Sequence, residues 1–176
     1  MSKKKKGRRY KRTPLAAVLN GVGTLIMILS IVICLALALP RLAGYQTYVV
    51  VSGSMEPAIP VGSMLYVKAC DPATLTEGDV VMFYGNLQQG VPITHRVVEN
   101  HPEDGELVTK GDANDKNDLA PARYENVIGK VRLYVPELGY IASPLAMTTG
   151  KIAMAAIILA GYLLTEIASR VNRRRA

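Results

Sequence analysis

A long, uncharged and mostly apolar run, Leu15 to Leu39, lies near the start of this chain and constrains it more than any other feature. At about 1.5 Å per residue, those 25 residues make roughly 37 Å of helix, enough to cross a hydrocarbon core of about 30 Å with some tilt. A helix bonds its own backbone, so it tolerates lipid where an irregular segment does not. The competing reading is a cleaved secretory signal. The charged start and the small-residue pattern Ala36-Leu37-Ala38 favour it. Cleavable signal cores, however, run to only about 7–15 apolar residues, and Pro40-Arg41 just beyond is awkward for cleavage. The run reads as a retained anchor over residues 14–39. A weaker apolar stretch over 147–167 is interrupted early by Lys151, whose long stem can carry its ammonium to the interface. A buried or amphipathic helix competes here, but the near-complete apolar window favours a second transmembrane helix.

Charge orients these segments. The tail over 1–13 carries eight Lys/Arg and no acid, and the tail over 168–176 carries four Arg. Between the spans, residues 40–148 hold eight basic and thirteen acidic residues, a balance of −5. Positive residues stay on the cytoplasmic side, so both tails are expected inside and the middle domain outside. The formal net charge of +7 is thus a topology signal. It does not read as nucleic-acid binding, since the basic tails flank spans and lack interleaved aromatics. Anionic headgroups of the lipid bilayer are the fitting local partner. The expected location is a cell membrane, crossed twice.

The domain over 40–146 reads as mainly β. Short runs at Tyr48–Ser52, Ser63–Lys68, Asp79–Tyr84, Pro92–Val98, Glu106–Thr109 and Val127–Val135 are bounded by Gly, Pro, Asn or Asp. That spacing suits an all-β sandwich or barrel. Gly90-Val-Pro92 and Pro102-Glu-Asp-Gly105 read as hairpin turns.

Within this domain three features carry chemistry. Ser54 sits in Val51-Ser-Gly-Ser-Met-Glu-Pro57, where Gly53 permits a sharp turn after a β run and Pro57 stiffens the exit. A serine hydroxyl is a weak nucleophile and needs an adjacent base. His95 lies in Ile93-Thr-His-Arg-Val97, and an imidazole titrates near neutrality, which suits proton transfer. Strand alternation places Ile93, His95 and Val97 on one face. The loop Lys110-Gly-Asp-Ala-Asn-Asp-Lys-Asn-Asp118 offers Asp112, Asp115 and Asp118 as groups to orient the histidine, and spacing alone does not choose among them. A calcium loop is the first rival for that segment, but Arg123 stands where the twelfth-position Glu is needed. No Cys/His spacing suggests zinc, Cys34 and Cys70 are not expected to pair, and no metal or cofactor is expected. Each feature alone is commonplace: a turn serine, a half-buried histidine, a solvated acidic loop. Their joint occurrence in one tethered domain gives them weight.

The order of these segments resembles the type I signal peptidases, and specifically the endoplasmic-reticulum-type branch, which also includes archaeal enzymes and some from Gram-positive bacteria. Ser52-Gly-Ser-Met-Glu-Pro57, Gly78-Asp-Val-Val81, Ile93-Thr-His-Arg-Val-Val98, Thr109-Lys-Gly-Asp-Ala-Asn-Asp-Lys-Asn-Asp118 and Val135-Pro-Glu-Leu-Gly-Tyr140 carry the resemblance. It implies a signal-peptidase-like β catalytic domain and removal of signal peptides from secretory precursors. It also implies small residues, chiefly Ala, at the first and third positions before the cleaved bond. It makes Ser54 the nucleophile and Ser52 a helper of the oxyanion hole. His95 stands where the common bacterial branch has a lysine base. Two family aspartates six positions apart fall on Asp112 and Asp118, with Asp118 favoured as the partner of His95 and Asp112 as structural or supporting. Asp115 receives no role. Two other readings stay open: a Ser/Lys peptidase using Lys68 or Lys110, and a membrane-tethered β binding or assembly module with an inactive site. Accessory subunits are left undetermined.

Overall fold

The structure, a computed structural model, describes residues 13–85 and 90–173. The basic N-terminal run, Arg174 and Arg175 lie outside the described residues, as does the stretch just before the turn expected at Gly90. The chain divides into two units, one combining the chain up to Ala36 with the chain from Met147, the other Leu37–Ala146.

The first unit is helical. Helix α1 spans Pro14–Leu42. It starts where the Thr13 hydroxyl accepts from the Ala16 N–H at 3.3 Å, with Pro14 at the first helical position, where a missing N–H costs nothing. The helix runs past Pro40, at which the sequence reading stopped. Pro40 falls in the last turn, and the Ala43 N–H closes that turn on the Leu39 carbonyl at 3.1 Å. Gly44, at φ +80°, then turns the chain. The other long helix spans Thr148–Arg173, extending beyond the expected residue 167. An Arg170 to Glu166 bond at 2.9 Å, one turn apart, supports the polar end. Both long helices have the length and composition to cross a membrane.

The second unit is built on one antiparallel sheet of seven strands: β1 Tyr45–Val49, β2 Met64–Lys68, β3 Val80–Phe83, β4 Ile93–His101, β5 Glu106–Lys110, β6 Ala122–Arg123 and β7 Val127–Val135. Their order is β1-β2-β7-β3-β4-β5-β6. The expected sandwich or barrel is thus a single curled sheet, with β1 and β6 at its edges. Two buried clusters replace the one core between two sheets. Leu75, Val81, Phe83, Val97, Leu107 and Ala122 form one; Met55, Ile59, Leu65, Val67 and Met82 form the other. Neighbouring residues Val81 and Met82 belong to different clusters, so the central strand β3 is covered on both faces, as period-2 alternation requires.

β1 begins and ends three residues earlier than the sequence suggested. It pairs with β2 from Tyr45↔Lys68 to Val49↔Met64, and the chain then leaves the ladder. Val51 is 75% exposed, so the β-branched run reaches beyond the strand. The turn at Pro102–Gly105 is present as expected, with Gly105 at φ +68°. A short helix α2, Leu138–Ala146, was not anticipated. Its Gly139 N–H donates to the Gly62 carbonyl at 3.0 Å. Gly62, at φ +83°, lies under the Tyr140 ring, where a Cβ would collide. The Thr148–Arg173 helix is therefore α3 in chain order.

Candidate active site

Ser54 stands in a tight turn directly after β1. The Glu56 N–H returns to the Gly53 carbonyl at 3.0 Å and the Ile59 N–H to the Met55 carbonyl at 2.8 Å. Met55 is 2% exposed and anchors the turn in the core. Burying one side chain of a turn leaves its neighbour facing outward, and Ser54 is half-buried at a cavity wall. The Ser52 and Ser54 hydroxyls are 3.5 Å apart.

His95 lies on β4, where Val81 of β3 is its register partner. It is buried, as is Val97 two residues on, whereas Ile93 at the strand's start is 37% exposed. The expected common face therefore holds for His95 and Val97 and opens at Ile93. The imidazole and the Phe83 ring lie in a T-shaped arrangement, 6.4 Å between centroids. Its Nδ1 is 2.6 Å from Asp118 Oδ2. A carboxylate at Nδ1 favours the tautomer with the proton there and leaves Nε2 as the acceptor.

The three aspartates separate clearly. Asp118 meets His95. Asp112 instead holds Arg96, with Nε at 2.8 Å and a second nitrogen at 2.6 Å in a forked pair. The hydrogen bond and charge of Asp112 raise the Arg96 guanidinium above its ordinary value against the opposing effect of burial. Arg96 also donates to the Gly78 carbonyl at 2.7 Å. Asp115 is exposed.

Several residues that sequence reasoning passed over close the arrangement. The Ala113 N–H donates to the Ser54 carbonyl at 3.0 Å, so the acidic loop is tied to the serine turn. Gly111 lies between them: a Cβ there would be 2.6 Å from the Ser54 carbonyl oxygen and 3.0 Å from His95 Nε2. Thr109, wholly buried, donates to Asp118 Oδ2 at 2.6 Å. Its signal was visible in outline, because a polar residue alternates with the apolar Leu107 on one strand face. Among the described residues no hydrogen bond joins Ser54 to His95; both line one cavity of about 560 Å³. Tyr48, Val50, Val51, Leu65, Met82 and Ile93 supply much of its wall, with Ser52, Thr94 and Asn114 as polar points. Neither Lys68 nor Lys110 reaches this wall, and the Lys68 ammonium lies 5.4 Å from the Tyr45 ring centre.

Among the described residues, one group of side chains has donor atoms close enough for a cation. His101, Glu103 and Asp104 sit at the far end of β4 from His95. Glu99 and Glu103 already engage the His101 ring, at 3.1 and 3.5 Å.

Residues 23–106 match the family model described as signal peptidase, peptidase S26. Over that stretch, a little under half of its length, the chain is similar to that family. Similar curated proteins are signal peptidase complex catalytic subunits SEC11. The one from Clavispora lusitaniae is 41% identical over 103 residues, covering 53% of this chain and 61% of the relative. That from Penicillium rubens is 40% identical over 103 residues, covering 53% and 58%. That from a Saccharomyces cerevisiae strain is 38% identical over 104 residues, covering 53% and 61%. The chain thus spans about three-fifths of the length of the curated relatives it matches. These relatives represent the endoplasmic-reticulum-type branch of the S26 family. The matched residues include Ser52, Ser54, His95 and Arg96 but end before Thr109, Asp112 and Asp118. The S26 match does not reach the acidic loop.

Proposed function

We propose that this protein is a signal peptidase of the S26 type, a membrane-anchored serine endopeptidase that removes N-terminal signal peptides from secretory precursors. Ser54 is the nucleophile, His95 its general base and Asp118 the group that orients His95. The observation that most supports this is the 2.6 Å contact between His95 Nδ1 and Asp118 Oδ2, made by a histidine that shares its cavity with Ser54. A base held at one nitrogen by a carboxylate presents the other to a nucleophile.

In this reading the Ser54 oxygen attacks the scissile carbonyl as His95 Nε2 takes the hydroxyl proton. The C–N bond then breaks and the imidazolium returns its proton to the departing amine. Water, deprotonated by the same nitrogen, hydrolyses the acyl-enzyme. The Ser52 hydroxyl and the Ser54 backbone N–H would stabilise the oxyanion. Catalytic hydrogen bonds are often long before substrate binds, so the Ser54–His95 approach is expected to tighten in the complex. Asp112 holds Arg96 and supports the loop; it takes no part in proton transfer. The largely apolar cavity wall suits an extended peptide with small side chains near the cut, its backbone paired along the free edge of β1.

The two long apolar helices support membrane association. We infer further that both span, with the tails in the cytoplasm and the β unit outside, from the charge bias of the sequence. Membrane-borne precursors and catalyst then share one plane, which raises their effective concentration. The lysines favoured by a Ser/Lys mechanism are absent from the cavity wall, which supports histidine over lysine.

The test is cleavage of one signal-peptide-bearing precursor by the wild-type protein, Ser54→Ala, His95→Ala and Asp118→Asn. Ser54→Ala and His95→Ala should abolish processing. Asp118→Asn should lower kcat by about 10⁴-fold, as loss of the orienting carboxylate does in serine peptidases. Full activity in His95→Ala would overturn the assignment of the base.

A further inference from the structure

We propose that Thr109 is a positioning residue that holds Asp118 against His95; this rests on the reading of His95 as general base. Thr109 grips Asp118 at two points. Its hydroxyl donates to Asp118 Oδ2 at 2.6 Å, and its carbonyl accepts the Asp118 N–H at 2.8 Å. The first bond falls on the oxygen that His95 Nδ1 also meets at 2.6 Å. The Asp118 carboxylate is therefore fixed in torsion by two donors converging on one atom.

The location explains how one residue does both. Thr109 is near the end of β5, opposite Val97 of β4, and the acidic loop leaves the sheet just beyond it. Asp118 is where the loop returns, so residues 109 and 118 form its neck. Thr109 is wholly buried, at an inward position that alternates with Leu107. An apolar residue would fill that position without a desolvation cost, whereas a buried hydroxyl must find an acceptor. Here the acceptor is the carboxylate that selects the tautomer of His95. A short bond to a charged oxygen is also stronger than one between neutral groups.

A purely structural threonine would stabilise the loop neck and leave the imidazole unaffected. The positioning role predicts a change at His95 itself. The full chain in detergent micelles carries Ser54→Ala, which prevents turnover, and ¹⁵N NMR of the imidazole reads the His95 tautomer. Thr109→Val should reduce the Nδ1–H tautomer, as Asp118→Asn does, while Thr109→Ser should retain it. Thr109→Val added to Asp118→Asn should produce no further change. Thr109→Ala, which adds no volume, replaces the valine variant if that one does not fold. With Ser54 restored, Thr109→Val should lower kcat for precursor cleavage about ten- to a hundredfold, with KM unchanged, and Thr109→Ser should recover it. A folded Thr109→Val or Thr109→Ala protein with the wild-type His95 spectrum would overturn the proposal. So would an effect that persists undiminished beside Asp118→Asn. If the wild-type protein cleaves no precursor, the peptidase reading falls, while the spectra still decide whether Thr109 acts on His95.

Discussion

A Cβ built on Gly111 would come within 2.6 Å of the Ser54 carbonyl oxygen. The obstacle is backbone, already engaged by the Ala113 N–H, so it cannot swing aside as a side-chain tip would. Gly111→Ala should push the acidic loop off the serine turn. The expected cost is about 1–3 kcal/mol of stability, the range for overpacking, with a larger proportional loss of precursor cleavage. Denaturant midpoints and cleavage rates measured together test this; wild-type values for both would refute it. Acid should inhibit at the same scale. An imidazolium has no lone pair to accept the Ser54 proton, so kcat/KM should fall on acidification. A rate that stays level on acidification while the protein remains folded would point away from His95. At this scale the sequence was informative about Ser54 and His95, whose residue types and flanking turns carry their chemistry. It did not distinguish Asp112 from Asp118 by spacing, because a loop's path decides which carboxylate meets a ring. It was silent on Gly111, whose importance comes from two atoms distant in the chain.

Individual elements are held in place by ion pairs that no local pattern displays. Asp79, just before β3, meets Lys130 of β7 at 2.5 Å and accepts from the Thr76 N–H at 3.1 Å. Burial acts to raise the Asp79 carboxyl, but the Lys130 ammonium and the Thr76 N–H outweigh it and hold the group below its ordinary value. A depressed carboxylate stabilises the fold above its unfolded pKa, about 3.9 for aspartate. That contribution is lost as pH falls through the lowered folded value. Asp79→Asn should therefore cost about 1–2 kcal/mol near neutral pH and flatten the acid end of the stability profile. Chemical denaturation across pH measures both, and an unchanged acid limb would count against the pair. Most strands were legible because β-branched runs between turn residues are a local signal. β1 was displaced because Val50 and Val51 are apolar for a different reason: they line the cavity. β6 is only two residues long, too short for periodicity. Helix α2 contains Pro144, which argues against a helix locally; docking of Gly139 and Tyr140 on Gly62 supplies what propensity does not.

At the scale of the molecule, the helical unit has its own packing logic. A Cβ on Gly23 of α1 would be 2.6 Å from the Gly161 carbonyl of α3, and Ala16 and Ala168 are almost wholly buried. Small residues let two backbones approach closely, which drives association where lipid offers no hydrophobic effect. Gly23→Leu should separate α1 from α3 and lower the thermal midpoint of the protein in detergent. Crosslinking between cysteines placed on the two helices should fall in parallel; undiminished crosslinking would show that Gly23 does not matter. The Asn172 side chain also accepts from the Thr13 N–H at 3.3 Å, joining the ends of the helix pair. Topology is tested separately: reporters at both termini should respond as cytoplasmic, with the β unit reached from outside.

The sequence alone determined the two apolar helices, the mainly β character between them, and Ser54 and His95 as the residues to watch. Length, alternation and side-chain chemistry are local properties, legible one segment at a time. Tertiary structure decided, between a sandwich and a curled or barrel-like sheet, that the strands form one curled sheet. It also decided that Asp118, not Asp112, meets the histidine, and that Thr109 and Gly111 complete the arrangement. Those choices depend on which strands are neighbours. β4 and β5 bring residues 95, 109 and 118 together, and pairing across such separations leaves no mark on any one segment.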